Sequence, residues 1–248
     1  MSSADSFGLI VVGDEILNGR RRDRHFEGIG GLLRERGFGL AWFRILPDEP
    51  DYLAGEFARS MAEGRPVFCC GGIGATPDDH TRASAAAAAG VALVPHPGAV
   101  AEIEARYGEA AYPQRVRMAE LPVGSALIPN PYNRIPGFSI QRHYFLPGFP
   151  DMAHPMARWV LETRFPAVGD PERQRAVRVF GITESGLTDL MEDLVERFPE
   201  VKLFSLPRLG EEFQIELGFR GTGDLDAPFA ALVAGLESRK VRFVESTD

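Results

Sequence analysis

The first third of the chain alternates short apolar runs with longer segments whose apolar residues recur at helical spacing. Phe7–Val12 is an apolar run closed by Gly13 and predicts a buried strand. Arg24–Gly37 predicts a helix ended by glycine. Leu40–Leu46 predicts a second strand, Asp51–Gly64 a helix with Pro50 ahead of it, and Pro66–Cys70 a third strand. Asp78–Gly90 predicts a helix with acidic residues in its first turn and an alanine run in its body. Strands alternating with helices imply a mostly parallel sheet covered on both faces.

Beyond Gly90 the pattern loosens. Ala99–Tyr107 and Tyr112–Leu121 predict helices, Tyr144–Leu146 a strand and Asp151–Phe165 a helix, with a Pro-, Gly- and Asn-rich stretch at Pro122–Gly148. Pro166–Glu172 has the composition of a linker. After it the pattern restarts: strand Ala176–Ile182, helix Leu187–Phe198, strands Val201–Leu206 and Glu212–Gly218, helix Leu225–Leu236, strand Lys240–Val244. That order suits a small α+β sandwich. The expected division is therefore an α/β domain over 1–169 and an α+β accessory domain over 170–248.

Composition narrows the class. The chain has 248 residues, 44% of them hydrophobic and 25% charged, as in an ordinary globular protein. No apolar run approaches the roughly 18 residues that span a bilayer, and the first residues lack a signal-peptide pattern. The adjacent Cys69 and Cys70 sit in an apolar run and read as reduced strand residues, so a cytoplasmic location without membrane association is expected. A net charge of −8 argues against a nucleic-acid partner. A small phosphorylated ligand remains compatible, because such a site works through local donors and metals.

Candidate chemistry gathers where strands end. Gly71-Gly72-Ile73-Gly74-Ala75-Thr76-Pro77-Asp78-Asp79-His80-Thr81 leaves the third strand and runs into a helix start. Ligands of open α/β sheets bind outside such strand ends. Glycines let the backbone approach an anion, and free amides at a helix start favour one. Thr76 and Thr81 add hydroxyls. Two readings of Asp78 and Asp79 stay open: a hard divalent cation such as Mg²⁺ held between them and a phosphate, or simple helix capping. The loop has neither the spacing nor the lysine of a P-loop. A second motif, Gly13-Asp14-Glu15-Ile16-Leu17-Asn18-Gly19, follows the first strand. If the two strands are neighbours, Asp14 and Glu15 face Asp78 and Asp79; otherwise the motif is an Asx-type turn. Arg20, Arg21, Arg22 and Arg24 follow, a solvated run from which one arginine could clamp substrate. The third motif, Leu146-Pro147-Gly148-Phe149-Pro150-Asp151-Met152, is again a strand exit, read as a substrate wall or a rigid turn. The histidines have no metal-ligand spacing, and neither a Ser-His-Asp nor a Cys-His set stands out.

Together these motifs resemble the molybdopterin-binding (MoaB/Mog-like) domain, in the branch found at the N-terminus of competence/damage-inducible protein A (CinA). The likeness continues through Val94–Gly108, Arg117–Pro131 and Ile135-Pro136-Gly137-Phe138, about two thirds of the chain. Gly181-Ile182-Thr183-Glu184-Ser185 resembles the small domain that follows in CinA-like proteins. The resemblance does not extend to the amidase domain of longer members, so nicotinamide-mononucleotide deamidation is not carried over. It implies a three-layer α/β/α fold, a homo-oligomer, and a site for a nucleotide or molybdopterin-type ligand. Branches of the family adenylylate molybdopterin or hydrolyse a nucleotide pyrophosphate with a divalent metal, and the CinA likeness favours hydrolysis. Transferred to this chain, Gly71, Gly72, Gly74, Thr76 and Thr81 would cradle phosphate and Asp78 and Asp79 would hold the metal. Asp14 or Glu15 would give a second metal contact or orient water, and Gly13, Asn18, Gly19, Pro147, Gly148 and Phe149 would contact ligand. Ala75 stands where the family often has Pro, and His25 where it often has Asn; the second change is expected to alter substrate choice or weaken activity.

Overall fold

The computed structural model describes residues 6–167, 172–208 and 213–246. The chain divides into two compact units, Met1–Val168 and Gly169–Asp248. The junction expected within Pro166–Glu172 falls mostly on 168–171, outside the described residues.

The first unit runs β1 (Ser6–Val12), α1 (Asp14–Leu17), α2 (His25–Glu35), β2 (Gly39–Leu46), α3 (Pro50–Ala62), β3 (Val67–Cys70) and α4 (Thr81–Ala89). It continues with β4 (Leu93–Pro95), α5 (Pro97–Tyr107), β5 (Glu120–Pro122), β6 (Ala126–Ile128), β7 (Gly137–Ile140), β8 (His143–Leu146) and α6 (Pro150–Arg164). The main sheet has the order β2-β1-β3-β8-β7-β6, with β2, β1, β3 and β8 parallel and the β7 and β6 edge antiparallel. Side-chain alternation splits the core between the two faces. Phe7, Leu9 and Val11 pack with Phe68, Cys70, Tyr144 and Leu146 under α2 and α6. Ile10 and Val12 pack with Val67, Cys69 and Phe145 under α3, α4 and α5. This is the three-layer α/β/α arrangement, with both cysteines free and fully buried. Helices α3, α5 and α6 each open on proline, whose missing amide is no loss in a first turn. Among the described residues no helix is long and apolar enough to cross a membrane.

The second unit runs β9 (Arg173–Phe180), α7 (Thr188–Arg197), β10 (Lys202–Arg208), β11 (Gln214–Gly221), α8 (Asp226–Ser238) and β12 (Arg242–Glu245). Its sheet is antiparallel throughout, in the order β10-β11-β9-β12. Val177, Val179, Ile215, Leu217 and Phe219 face Leu190, Leu194, Leu232 and Leu236 of the two helices.

Two predicted helices differ. Tyr112–Leu121 forms a 3-10 turn over Arg115–Ala119 and then β5. Tertiary contacts override local propensity here: the Arg82 guanidinium takes the carbonyls of Arg117 and Glu120, and β5 pairs with β4. The helix expected from Asp78 starts at Thr81, because residues 76–79 close a turn of their own and the Thr81 amide donates to the Gly72 carbonyl at 3.0 Å. Asp78 and Asp79 therefore lie outside α4, and its N-cap, His80, makes no side-chain capping bond. The capping reading is overturned.

His143 joins layers inside this unit. Its Nδ1 lies 3.1 Å from the Gln141 carbonyl, which can only accept, so Nδ1 carries the proton; Nε2 then accepts from Ser60 Oγ of α3 at 2.7 Å. Burial pushes this imidazole down to about 4. The unfolded chain then binds a proton that the folded chain refuses as pH falls from about 6.5 to about 4. Stability is expected to drop across that window, with up to about 3 kcal/mol from this group. Urea midpoints of wild type and His143→Gln should show a smaller acid slope in the variant; an equal slope would place the acid sensitivity elsewhere.

Candidate active site

The loops leaving β2, β1, β3 and β8 close around one cleft of about 460 Å³. β1 supplies Gly13 and Glu15, and β2 supplies Asp48. β3 supplies Gly71, Gly72, Gly74, Thr76, Asp78 and Asp79, and β8 supplies Pro147, Gly148 and Phe149. Tyr107, Met118, Asn130, Asn133 and Ile135 form the remaining wall. The sheet ladder continues into these loops: the Gly13 amide donates to the Leu46 carbonyl at 3.1 Å, and the Gly71 amide to the Leu146 carbonyl at 3.0 Å.

The glycine loop is held from three sides. Gly71 and Gly72 have φ of 109° and 65°, and a Cβ on Gly71 would collide with the Val12 carbonyl oxygen. Asp79 Oδ2 accepts the Thr76 amide at 2.9 Å and the Thr76 hydroxyl, closing the turn. Beneath, Arg82 donates to the Gly74 carbonyl at 2.7 Å and ties the loop to the Arg117–Glu120 segment. With its carbonyl drawn down, this stretch is pinned beside the cleft.

Carboxylates gather across the same cleft. The Asp14 amide donates to Asp48 Oδ2 at 3.0 Å, while Asp14 Oδ1 accepts the Asp48 amide at 3.4 Å. Burial raises the Asp48 carboxyl above its ordinary range, and the negative charges of Asp14, Glu15 and Asp78 raise it further, against the lowering by the Asp14 amide. Asp78 is held below the ordinary range, first by the Thr76 hydroxyl, whose single proton it shares with Asp79, and then by its own amide. Among the described residues no three or more His, Cys, Asp or Glu side chains are grouped closely enough to cage a metal ion.

Four of the expected site residues lie off the cleft lining. Asp14 does not line the cleft and serves to orient Asp48. Asn18 ends α1 and accepts the Arg20 amide at 3.1 Å, and Gly19 turns the chain at φ 73°. Thr81 is fully buried behind Gly72, with its hydroxyl unpartnered. Three residues escaped the sequence reading. Asp48 obeys the strand-exit rule used for the other motifs and could have been found by it. Asn130 is buried, with its side-chain NH₂ unpartnered at the cleft wall, and Arg82 carried no signal apart from adjoining Thr81. His25 is buried, and its Nε2 meets the Gly148 carbonyl at 3.3 Å, tying α2 to the third motif.

Residues 8–167 match the probable molybdopterin binding domain, and the chain belongs to that MoaB/Mog-like family. Several of its relatives are CinA-like proteins. A CinA-like protein of Citrifermentans bemidjiense is 31% identical over 92% of this chain and 56% of its own length, so the chain spans little more than half of that relative. A protein of Aeropyrum pernix is 30% identical over 82% of this chain and 79% of its own. The crystal structure of CinA from Thermoplasma acidophilum, a protein described as of unknown function, superposes with a TM-score of 0.60 at 30% identity, covering 65% of this chain and 98% of that one.

The loop's strain can be tested by substitution. Gly71→Ala combines a positive φ with a backbone collision and should cost roughly 1–3 kcal/mol. Gly19→Ala shares the positive φ but meets no neighbouring atom, and should cost well under half as much. Equal shifts in urea midpoint would show that the β1 exit does not hold the loop.

Proposed function

We propose that the cleft is a metal-dependent site that hydrolyses a nucleotide-type pyrophosphate. The observation that carries this reading is the opposition, in one cleft, of a glycine loop with Glu15, Asp48 and Asp78. Amides at a strand exit favour phosphate, whereas carboxylates at the same place repel it unless a cation lies between. Mg²⁺ fits such a donor set, because it keeps several waters and takes one or two carboxylates plus ligand phosphates without a full protein cage. Asp78, exposed and held ionised, is the foremost metal ligand; Asp79 is committed to Thr76 and acts by shaping the loop. When bound, the metal would neutralise phosphate charge and lower the pKa of a coordinated water.

The chain's own groups do the rest. Gly72 and Gly74 would hold the phosphate through their amides, while Thr76, whose amide and hydroxyl both go to Asp79, keeps the loop in shape. Phe149, 57% exposed at the mouth, offers a face for a base or pterin ring. One water adds across the P–O–P bond: its oxygen bonds to phosphorus, the bridging oxygen leaves with the electron pair, and a carboxylate takes the proton. Glu15 or Asp48 stands where it could do so, and the raised Asp48 carboxyl is the better base. A second reading, a module that binds a pterin or nucleotide without turning it over, is favoured by the absence of a full metal cage among the described residues.

The test is a panel of nucleotide sugars, dinucleotides and pterins with Mg²⁺, Mn²⁺ or Co²⁺, read for binding and for released products. Hydrolysis of a pyrophosphate is expected, and Asp78→Asn should lower it at least about a hundredfold while leaving the melting of the ligand-free protein unchanged. Binding without product in every combination would select the module instead.

The raised Asp48 carboxyl makes a further forecast. A raised carboxyl costs stability once pH climbs above its ordinary titration range, so Asp48→Asn should melt higher than wild type at pH 7 and no higher near pH 3. A variant that melts lower at pH 7 would show that the Asp14–Asp48 bonds outweigh the repulsion.

A further inference from the structure

A second hollow of about 240 Å³ opens beside the cleft. The two share Val12, Glu15, Arg21, Gly148 and Phe149, so they are lobes of one depression. Their charges are opposite. The main lobe sets Glu15, Asp48, Asp78 and Asp79 against Arg21 alone. The side lobe sets Arg21, Arg22 and Arg24 against Glu15 and Asp23. Asp23 is already engaged by backbone donors, accepting the His25 amide at 3.0 Å and the Phe26 amide at 2.9 Å. Arg21 is held only loosely, 3.6 Å from Glu15, and stands 6.0 Å over the Phe149 ring at the boundary of the lobes. The guanidinium groups of Arg22 and Arg24 make no hydrogen bond or ion pair among the described residues.

We infer that the side lobe is a metal-independent oxyanion subsite, in which Arg22 and Arg24, with Arg21 at the boundary, take a further phosphate of the ligand beyond the pair at the glycine loop. This rests on the proposed phosphate site only in placing ligand in the same depression. Guanidinium groups recognise phosphate directly through charge-assisted hydrogen bonds, whereas the acidic lobe needs a cation to do so. The substrate class narrows accordingly: a phosphoanhydride carrying a further phosphate beyond the pair on the glycine loop, or a chain of at least three phosphates. The solvated arginine run thereby becomes part of the site, and Arg20, which does not line the lobe, is left as surface charge.

The experiment uses the full chain in EDTA, titrated calorimetrically with inorganic pyrophosphate and tripolyphosphate, and with succinate as a carboxylate probe. Wild type should bind both polyphosphates without metal and bind succinate much more weakly. Arg22→Gln/Arg24→Gln should weaken polyphosphate binding at least about tenfold without changing ligand-free melting. Arg20→Gln, which also removes a positive charge, should change it less than about twofold, and Asp78→Asn should leave it equal or tighter. Three results would overturn the subsite: no polyphosphate binding in EDTA, equal losses in Arg20→Gln and the double variant, or succinate binding as tight as pyrophosphate. Binding in EDTA without any metal-dependent hydrolysis would keep the subsite and remove the hydrolase reading, so the two fail separately.

Discussion

Everything at the site depends on the parallel pairing of four neighbouring strands. Because β2, β1, β3 and β8 point the same way, their carboxyl ends lie side by side. Four loops that are distant in sequence must then meet at one edge of the sheet. The ladder bonds from Gly13 to Leu46 and from Gly71 to Leu146 extend that alignment past the strands and set where each loop begins. A helix-covered sheet needs apolar side chains on both faces, and the alternating halves of β1 satisfy two separate cores at once. A register slip of one residue in β1 would exchange the cores and carry Gly13 and Glu15 away from Asp48.

That alignment creates an electrostatic conflict. Backbone amides and carboxylates are brought to the same cleft, where burial, and after it the neighbouring acids, raise Asp48 while hydrogen bonds keep Asp78 low. The fold tolerates it because the carboxylates are not orphaned: Asp79 is bonded to Thr76, and Asp14 and Asp48 exchange bonds with each other's amides. Under the proposed function, a cation and an anion arriving together would relieve that conflict. The neighbouring arginine-lined lobe extends the same division of charge along the depression.

The framework was legible in the sequence, because buried parallel strands read as unbroken apolar runs closed by glycine, and each motif stood at such an exit. The βαββαβ order of the second unit was legible for similar reasons. What escaped depends on contacts far apart in the chain. The short edge strands β4 to β7 have three or four residues each and no periodicity to find. Tyr112–Leu121 carries a helical pattern, and only Arg82, about thirty residues earlier, explains why its carbonyls are used elsewhere. Three of the four loops that line the cleft were marked by their motifs, but the bonds inside them were not: Thr81 is buried behind Gly72, and Asp79 accepts from Thr76. Spacing tells which side chains share a loop, but not which of them the loop consumes in holding its own shape.

The claim that the opposed amides and carboxylates require a cation is tested most directly by crystals soaked with Mn²⁺ and a non-hydrolysable nucleotide pyrophosphate, examined by anomalous scattering. The account predicts a manganese peak bound by Asp78, water and a phosphate oxygen, with that phosphate resting on the amides of Gly72 to Ala75. Phosphate on those amides with no manganese beside Asp78 would contradict it.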